Sequence, residues 1–212
     1  MDTIESQSPT NLDSPVAIGV FVAGTLLLSW TISFVLITDT VPVYTTLLLM
    51  LTPATVALGI RRAQGHSVLR TISASLRGST ARSLLFAVAY PVGFIGIAAL
   101  LALTTGLGTY QAGPENIVSV ALQQGGVVLL SVFLIESLIR MYGEEFGWRG
   151  YLLPELTSRW GRVRATAAVG VVWALFHSAF LYRAGVAIGV ENPLVITVLQ
   201  AGAVFTISFP FS

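Results

Sequence analysis

The sequence predicts an all-α fold: a polytopic transmembrane helical bundle with about six spans. Hydrophobic residues make up 54% of the 212 residues, and charged residues make up only 10%. A soluble domain usually carries about 25% charged residues, so the composition indicates a membrane protein. Apolar stretches of about 20 residues recur along the chain, and that length crosses the hydrocarbon core as a helix.

Composition also limits the chemistry that the chain can perform. The formal net charge is +1 and the chain has no basic block, so we expect no nucleic-acid partner. Cysteine is absent, which excludes disulfides, a thiol nucleophile and thiolate metal ligands. Any hydrolytic chemistry must therefore use Glu, His, Ser, or a metal held by nitrogen and oxygen ligands.

The predicted organisation is a short tail followed by one membrane domain. Residues 1–15 form a polar, acidic N-terminal tail without the basic start of a signal peptide. We expect this tail to be disordered. Residues 16–212 form the membrane domain.

Three spans are predicted in the first half of the chain. They are Val16–Ile37, Val41–Ile60 and Ser83–Thr105. Pro53 lies inside the second span as an expected kink, and Pro91 is expected to interrupt the third. A polar loop with five arginines, Arg61–Arg82, separates the second span from the third.

Three further spans are predicted in the second half. The fourth starts between Ile117 and Val127, the fifth is Val163–Tyr182 and the sixth is Pro193–Phe211. Before the fourth span, Gly106–Asn116 is expected to be a loop. Residues 123–126 are expected to separate a shorter amphipathic helix from the main helix of the fourth span. The fourth helix could end before Glu144 or continue to about Pro154, where a stop signal begins.

Arginines in the loops predict the orientation in the membrane. The loop after the second span carries five arginines, and residues 140–164 carry five more. The loops after the first and third spans carry none. The positive-inside rule therefore places both arginine-rich loops and the N-terminus in the cytoplasm, in a multi-pass protein of the cell membrane whose partner is the lipid bilayer.

A charged cluster follows a long apolar run and is the main candidate for a functional site. It consists of Glu144, Glu145 and Arg149. Ionisable groups near or inside a bilayer are costly unless they are paired or hydrated, so they are functional candidates by default. Arg149 is four residues after Glu145 and can pair with it on one helix face. Glu144 is rotated by about 100° and is freer to reach another helix.

His177 is the predicted partner of this cluster. At 1.5 Å per residue, Glu144 lies about 15 Å above Pro154, and His177 lies about 20 Å above Arg164. Two adjacent antiparallel helices would therefore hold both carboxylates and the imidazole at similar depth. A carboxylate pair that faces an imidazole can deprotonate a water, with or without a metal.

Simpler interpretations exist for most of these polar residues. Charged residues at the ends of membrane helices are usually solvated at the interface, which fits Arg140, Arg159, Arg162 and Arg164. His66 lies in a polar loop and is expected to be solvated. Glu136 is expected to be a structural partner of Arg140. His177 alone could be an interhelical hydrogen bonder, and the three site groups could instead relay protons in a small proton-coupled transporter.

The motifs resemble those of a known family. Residues 144–150, Glu-Glu-Phe-Gly-Trp-Arg-Gly, match the EExxxRG motif of the CPBP intramembrane proteases. That family includes type II CAAX prenyl proteases and bacteriocin-processing or immunity proteins. Residues 173–177, Trp-Ala-Leu-Phe-His, resemble its second motif, FxxxH, with Trp173 in the aromatic position. The resemblance covers about Leu130–Ser212.

The resemblance implies an intramembrane endopeptidase that hydrolyses a peptide bond of a membrane-associated peptide or protein. Glu144 would activate the hydrolytic water, Glu145 would support it and Arg149 would brace the acidic pair. His177 would bind the water or a metal. Glu144 and His177 are thus candidate zinc ligands, although the chemistry could also run without a metal, because a catalytic zinc normally takes three protein ligands.

One departure from the family lies at the C-terminal end. Family members carry a third motif, a second His followed four residues later by Asn or Asp. This chain has two histidines, and His66 is in the wrong place for that motif. We therefore expect the chain to be truncated relative to an active enzyme. The alternative is a non-catalytic membrane protein that uses the same scaffold for binding or immunity.

Overall fold

The computed structural model describes residues 15–75, 81–106, 126–210 and 212. Within these ranges the backbone forms helices and connecting turns without any strand, so the all-α prediction is confirmed. In chain order the helices are α1 (Pro15–Leu36), α2 (Val43–Ala63), α3 (Val68–Ser75), α4 (Ala81–Thr104), α5 (Gly126–Gly147), a π-helix (Trp148–Leu152), α6 (Leu153–Trp160), α7 (Arg162–Ala187) and α8 (Pro193–Ile207). Three predicted segments lie mostly outside the described residues: positions 1–14 of the N-terminal tail, positions 107–116 of the loop, and positions 123–125 of the dividing segment.

Helix α3 lies inside the segment that was predicted to be only a polar loop. Among its eight residues, Ile72 follows Leu69 by three positions and Val68 by four, so these three apolar residues lie on one face of the helix. Because polar residues lie between these apolar ones, the segment was predicted to be a loop and this short amphipathic helix was missed. Helix α4 also continues through Pro91, which does not interrupt it.

The helix that carries the charged cluster is longer than predicted. Helix α5, the π-helix and α6 follow one another without a break as far as Trp160. Pro154 does not begin a stop, because the helix continues through it from the π-helix into α6. A proline inside a helix removes one backbone hydrogen bond to the preceding turn, and here the π-helix lies directly before it, where the backbone pattern already changes. The stop is Gly161, whose φ of 75° is a left-handed conformation that favours glycine.

Contacts divide the chain into two units. One comprises Met1–Thr71 and Glu136–Ser212, and the other comprises Ile72–Ile135. The first unit contains α1, α2, α6, α7 and α8, and all four candidate site residues. In it, α7 packs against α1, α6 and α8. The second unit contains α4, the end of α3 and the first part of α5.

Helix α1 packs through a stripe of mostly small and polar side chains. Its buried residues recur every fourth position: Ala17, Phe21, Thr25, Ser29 and Ser33. Small residues allow helices to approach closely in a membrane, and polar ones can bond across the interface. The Trp30 indole donates to the Leu175 carbonyl at 3.0 Å, and the Ser29 hydroxyl donates to the Phe176 carbonyl at 3.4 Å. These bonds attach α1 to α7 next to His177.

Three helices among the described residues are long and apolar enough to cross a membrane. They are Pro15–Leu36, Tyr44–Ala63 and Arg162–Ala187, and Pro193–Ile207 is a shorter apolar helix. These helices support a membrane protein. The count of about six spans and the orientation stay predictions.

Candidate active site

Glu144 lies on α5 where this helix approaches α2 closely. Gly143 and Gly147 flank it in sequence and are both buried. A Cβ on Gly143 would lie 2.7 Å from Leu51 Cδ2, and a Cβ on Gly147 would lie 2.7 Å from the carbonyl carbon of Pro53. At Gly147 a larger residue would displace the backbone of α2, whereas at Gly143 the end of the Leu51 side chain would have to move and the Met50 carbonyl oxygen, at 3.1 Å, would be a tight contact. The two glycines therefore set the position of the helix that carries the carboxylate.

Three ring N–H or N groups surround one oxygen of Glu144. The Nε2 atom of His177 lies 3.5 Å from Glu144 Oε1. The Trp173 indole Nε1 donates a hydrogen bond to the same oxygen. The Trp148 indole Nε1 lies 3.4 Å from it. The structure thus brings together the carboxylate and the imidazole that the sequence arithmetic placed at similar depth.

The observed helix ends explain this match in depth. Glu144 lies about 24 Å above Trp160, and His177 lies about 22 Å above Arg162, at 1.5 Å per residue. Helices α6 and α7 pack together on either side of Gly161. The two polar groups therefore meet because they are nearly equidistant from one turn.

The hydrogen bond of the other imidazole nitrogen defines the tautomer of His177. Its Nδ1 lies 3.1 Å from the Trp173 carbonyl oxygen. A carbonyl can only accept, so Nδ1 carries the proton, and in a neutral imidazole Nε2 then presents a lone pair. That lone pair and the Glu144 carboxylate are both acceptors. A water that lies beside the pair can donate one hydrogen to each of the two acceptors, which is the requirement for orienting a hydrolytic water.

Glu145 and Arg149 form the predicted ion pair. Arg149 Nη1 lies 2.8 Å from Glu145 Oε1. The guanidinium also lies over the ring of Trp173, 4.4 Å from its centroid. Arg149 therefore connects Glu145 to the indole that donates to Glu144. Its Nη2 atom is buried and has no partner among the described residues.

The π-helix and its aromatic residues fix the far side of the site. Trp148 is fully buried between Phe21 and Phe176, with ring centroids 5.6 and 5.4 Å away. Tyr151 also packs on Phe21, at 5.0 Å. Phe176 in turn contacts the His177 ring edge-to-face at 4.9 Å. Single π-helical turns inside α-helices occur frequently at functional sites, and here the turn carries Arg149.

A groove of about 240 Å³ reaches Glu144. The described residues that line it are Met50, Ser137, Arg140, Met141 and Glu144. This volume admits several waters or one side chain of a substrate, and it is smaller than the usual site for a whole small molecule. The carboxylate is thus open to a groove on one side and bounded by aromatic rings on another.

Glu136 and Arg140 form a separate ion pair, as expected. Arg140 Nη2 lies 2.8 Å from Glu136 Oε2, and Nη1 lies 3.2 Å from the Thr46 hydroxyl. The interpretation of Glu136 as a structural partner of Arg140 agrees with this contact. His66 is exposed, as expected for a solvated residue.

The described residues do not complete a zinc site. Glu144 and His177 are close together, but the described part of the chain contains no group of three or more His, Cys, Asp or Glu residues that could hold a metal. A catalytic zinc normally takes three protein ligands. Glu144 Oε1 also already accepts an indole N–H.

Trp148 and Trp173 contact the site, and sequence reasoning did not include them in it. From the sequence, Trp173 was assigned only as the aromatic residue of the second motif. Trp148 occupies one of the variable positions of the first motif and received no role. A signal was available, because Trp148 is four residues after Glu144 and Trp173 is four residues before His177. Each tryptophan therefore shares a helix face with a site residue.

Comparison with known protein families found a match that covers the helices that carry the site. Residues 126–210 match the family described as type II CAAX prenyl endopeptidase Rce1-like. The resemblance inferred from the two motifs is thus confirmed over this part of the chain. At the level of the family, the match supports a CAAX-type intramembrane protease. A search of curated proteins and a search of solved structures found no match.

Proposed function

We propose that this protein is an intramembrane endopeptidase of the CAAX protease type that hydrolyses a peptide bond of a membrane-associated substrate. The observation that carries the proposal is the approach of His177 Nε2 to Glu144 Oε1, at 3.5 Å, between consecutive helices. The family match over residues 126–210 supports the reaction class.

In the proposed mechanism, Glu144 is the general base. A water in the groove donates one hydrogen to the Glu144 carboxylate and the other to the Nε2 lone pair of His177. Glu144 takes the first proton as the water oxygen attacks the scissile carbonyl carbon. The protonated carboxyl group then returns that proton to the leaving amine as the C–N bond breaks. One water is consumed, and the products are a carboxylic acid and an amine.

Glu145 and Arg149 act in this mechanism without touching the substrate. Their ion pair neutralises one of the two adjacent carboxylates, so that only Glu144 keeps an unpaired negative charge. A lone carboxylate inside a membrane is costly, and pairing reduces this cost. Arg149 also orients Trp173 through contact with its ring.

We further propose that the substrate reaches Glu144 from the cytoplasmic side of the cell membrane. The arginine-rich ends of the neighbouring helices support this orientation. Zinc is a separate proposal, on which the proposed mechanism does not depend. Glu144 and His177 would be its ligands from this chain, and zinc would supply Lewis-acid polarisation of a bound water.

The decisive experiment uses the full chain reconstituted in lipid vesicles with a membrane-tethered peptide, and detects new termini by mass spectrometry. We expect the parent protein to cleave and Glu144→Gln to lose about 10²–10⁴ of the rate. Glu191→Gln, a matched change in an exposed loop residue, should retain the parent rate. A Glu144→Gln variant as fast as the parent would show that the assigned base is wrong.

Further arms separate the alternatives. Loss of cleavage in a chelator, restored by zinc alone, would support the metal, and unchanged cleavage would reject it. Absence of cleavage together with proton uptake by vesicles that requires Glu144 would replace the protease with a transporter. Specific peptide binding without cleavage would favour the non-catalytic membrane protein.

A further inference from the structure

We infer that Trp173, assisted by Trp148, is a positioning residue for the general base: the two indole N–H groups hold Glu144 through Oε1 and leave Oε2 as the oxygen that takes the proton. This inference rests on the proposed function and deepens it. Neither indole touches the reacting atoms, so neither is a catalytic residue.

The geometry around Glu144 is asymmetric. The Trp173 and Trp148 indole nitrogens and His177 Nε2 all approach the same carboxylate oxygen. A carboxylate held by donors at one oxygen cannot rotate freely about its last bond. Hydrogen bonds to a charged group contribute more than those between neutral groups, and a low local dielectric strengthens them further.

Both tryptophans are themselves immobilised, so the donors have fixed positions. Trp148 is fully buried between Phe21 and Phe176. Trp173 is half-buried, and the Arg149 guanidinium covers its ring at 4.4 Å. A carboxylate that meets pre-placed donors needs little reorganisation when its charge changes during the reaction.

Trp173 adds a function that a simple aromatic residue lacks. The second motif requires an aromatic ring four residues before the histidine, and phenylalanine would supply the ring without a donor. Here the indole supplies a ring face to Arg149 and an N–H to Glu144 at the same time. The Trp173 side chain therefore links the Glu145–Arg149 ion pair to the general base, Glu144.

Kinetics of conservative variants test the role. Trp173→Phe keeps an aromatic face for Arg149 and removes the donor, so we expect kcat to fall about 10- to 100-fold, the equivalent of one hydrogen bond to a charge. KM should stay within about twofold, because substrate binding does not involve the indole. Trp148→Phe should have a smaller effect in the same direction, since its contact is longer.

Trp30→Phe is the matched control. It also removes an indole N–H bond, in this case the one to the Leu175 carbonyl, and it leaves the surroundings of Glu144 unchanged. We expect its kcat to equal that of the parent. Equal losses of kcat in Trp30→Phe and Trp173→Phe would indicate a general packing effect and overturn the inference.

A spectroscopic measurement tests the contact independently of activity. The chain has four tryptophans, so its indole ¹H–¹⁵N resonances in detergent can be assigned by single Trp→Phe changes. We expect Glu144→Gln to shift the Trp173 and Trp148 resonances and to leave that of Trp30 in place. An unmoved Trp173 resonance in an active protein would overturn the positioning role while the proposed function stands. A parent that does not cleave, with a Trp173 resonance that shifts, would refute the protease and retain the indole–carboxylate contact.

Discussion

His177 and Glu144 face each other across two consecutive helices, with Nε2 and Oε1 3.5 Å apart. Each group is attached to its own helix by a neighbour four residues away. His177 Nδ1 donates to the Trp173 carbonyl, and Trp148 lies one turn beyond Glu144. The pair therefore forms from two locally ordered helical turns.

The first prediction concerns the imidazole nitrogen that faces Glu144. In His177→Asn the shorter amide can still bond to the Trp173 carbonyl, but nothing replaces Nε2. We expect kcat for peptide cleavage to fall by about 10² or more, because the water loses the acceptor that orients it and small misplacements of a reactant cost this much. His66→Asn makes the same change in an exposed loop and should leave kcat unchanged. Comparable rates for His177→Asn and the parent would remove His177 from the site.

The second prediction concerns the shape of the Arg149 side chain. Lysine keeps the charge and can still pair with Glu145, but it lacks the planar group that lies over Trp173. We expect Arg149→Lys to lower the cleavage rate about 3- to 30-fold, the range of a cation–π contact. Arg159→Lys, at an exposed position of α6, serves as the control. If both variants matched the parent, charge alone would explain Arg149.

The third prediction concerns the close approach of α5 to α2. A Cβ on Gly147 would overlap Pro53, so Gly147→Ala should destabilise the fold by about 1–3 kcal/mol, as overpacking does. Thermal unfolding in detergent measures this as a lower Tm. Gly202→Ala on α8 is the control, because no atom lies within 4 Å of its added Cβ and its Tm should not fall. An unchanged Tm for Gly147→Ala would show that the two helices are further apart.

The fourth prediction concerns orientation. Because the chain lacks cysteine, single cysteines can be introduced without other changes. Ser67→Cys should react with a membrane-impermeant thiol reagent only from the cytoplasmic side. Asp39→Cys and Glu191→Cys, in exposed connections at the opposite helix ends, should react only from outside. Labelling of all three from one side would contradict the proposed topology.

Sequence reasoning predicted the parts of this structure that depend on local rules. Helix positions follow from apolar length, and the pairing of Glu145 with Arg149 follows from their four-residue separation. The meeting of Glu144 and His177 follows from counting residues on either side of one turn. The roles assigned to these residues stay predictions.

The remainder depends on packing between distant segments. The close approach of Gly147 to Pro53 joins two different helices, and so does the burial of Trp148 between Phe21 and Phe176. No local sequence pattern predicts which helices pack against each other. The end of α6 was predicted wrongly for a different reason: Pro154 was treated as a stop, although the helix continues through it from the π-helix to Trp160.

The π-helix at Trp148–Leu152 has a consequence for the tolerance of the chain to length changes. A π turn holds one residue more than an α turn, since its hydrogen bonds run from residue i to residue i+5. Removing one residue from this turn would convert it to ordinary α-helix while Glu144 before it and Leu156 after it keep their faces. The same deletion one turn earlier would rotate Glu144 away from His177. For a deletion that spares Trp148 and Arg149, this turn is thus the position in the motif-bearing helix where losing one residue is least damaging to the alignment of the site.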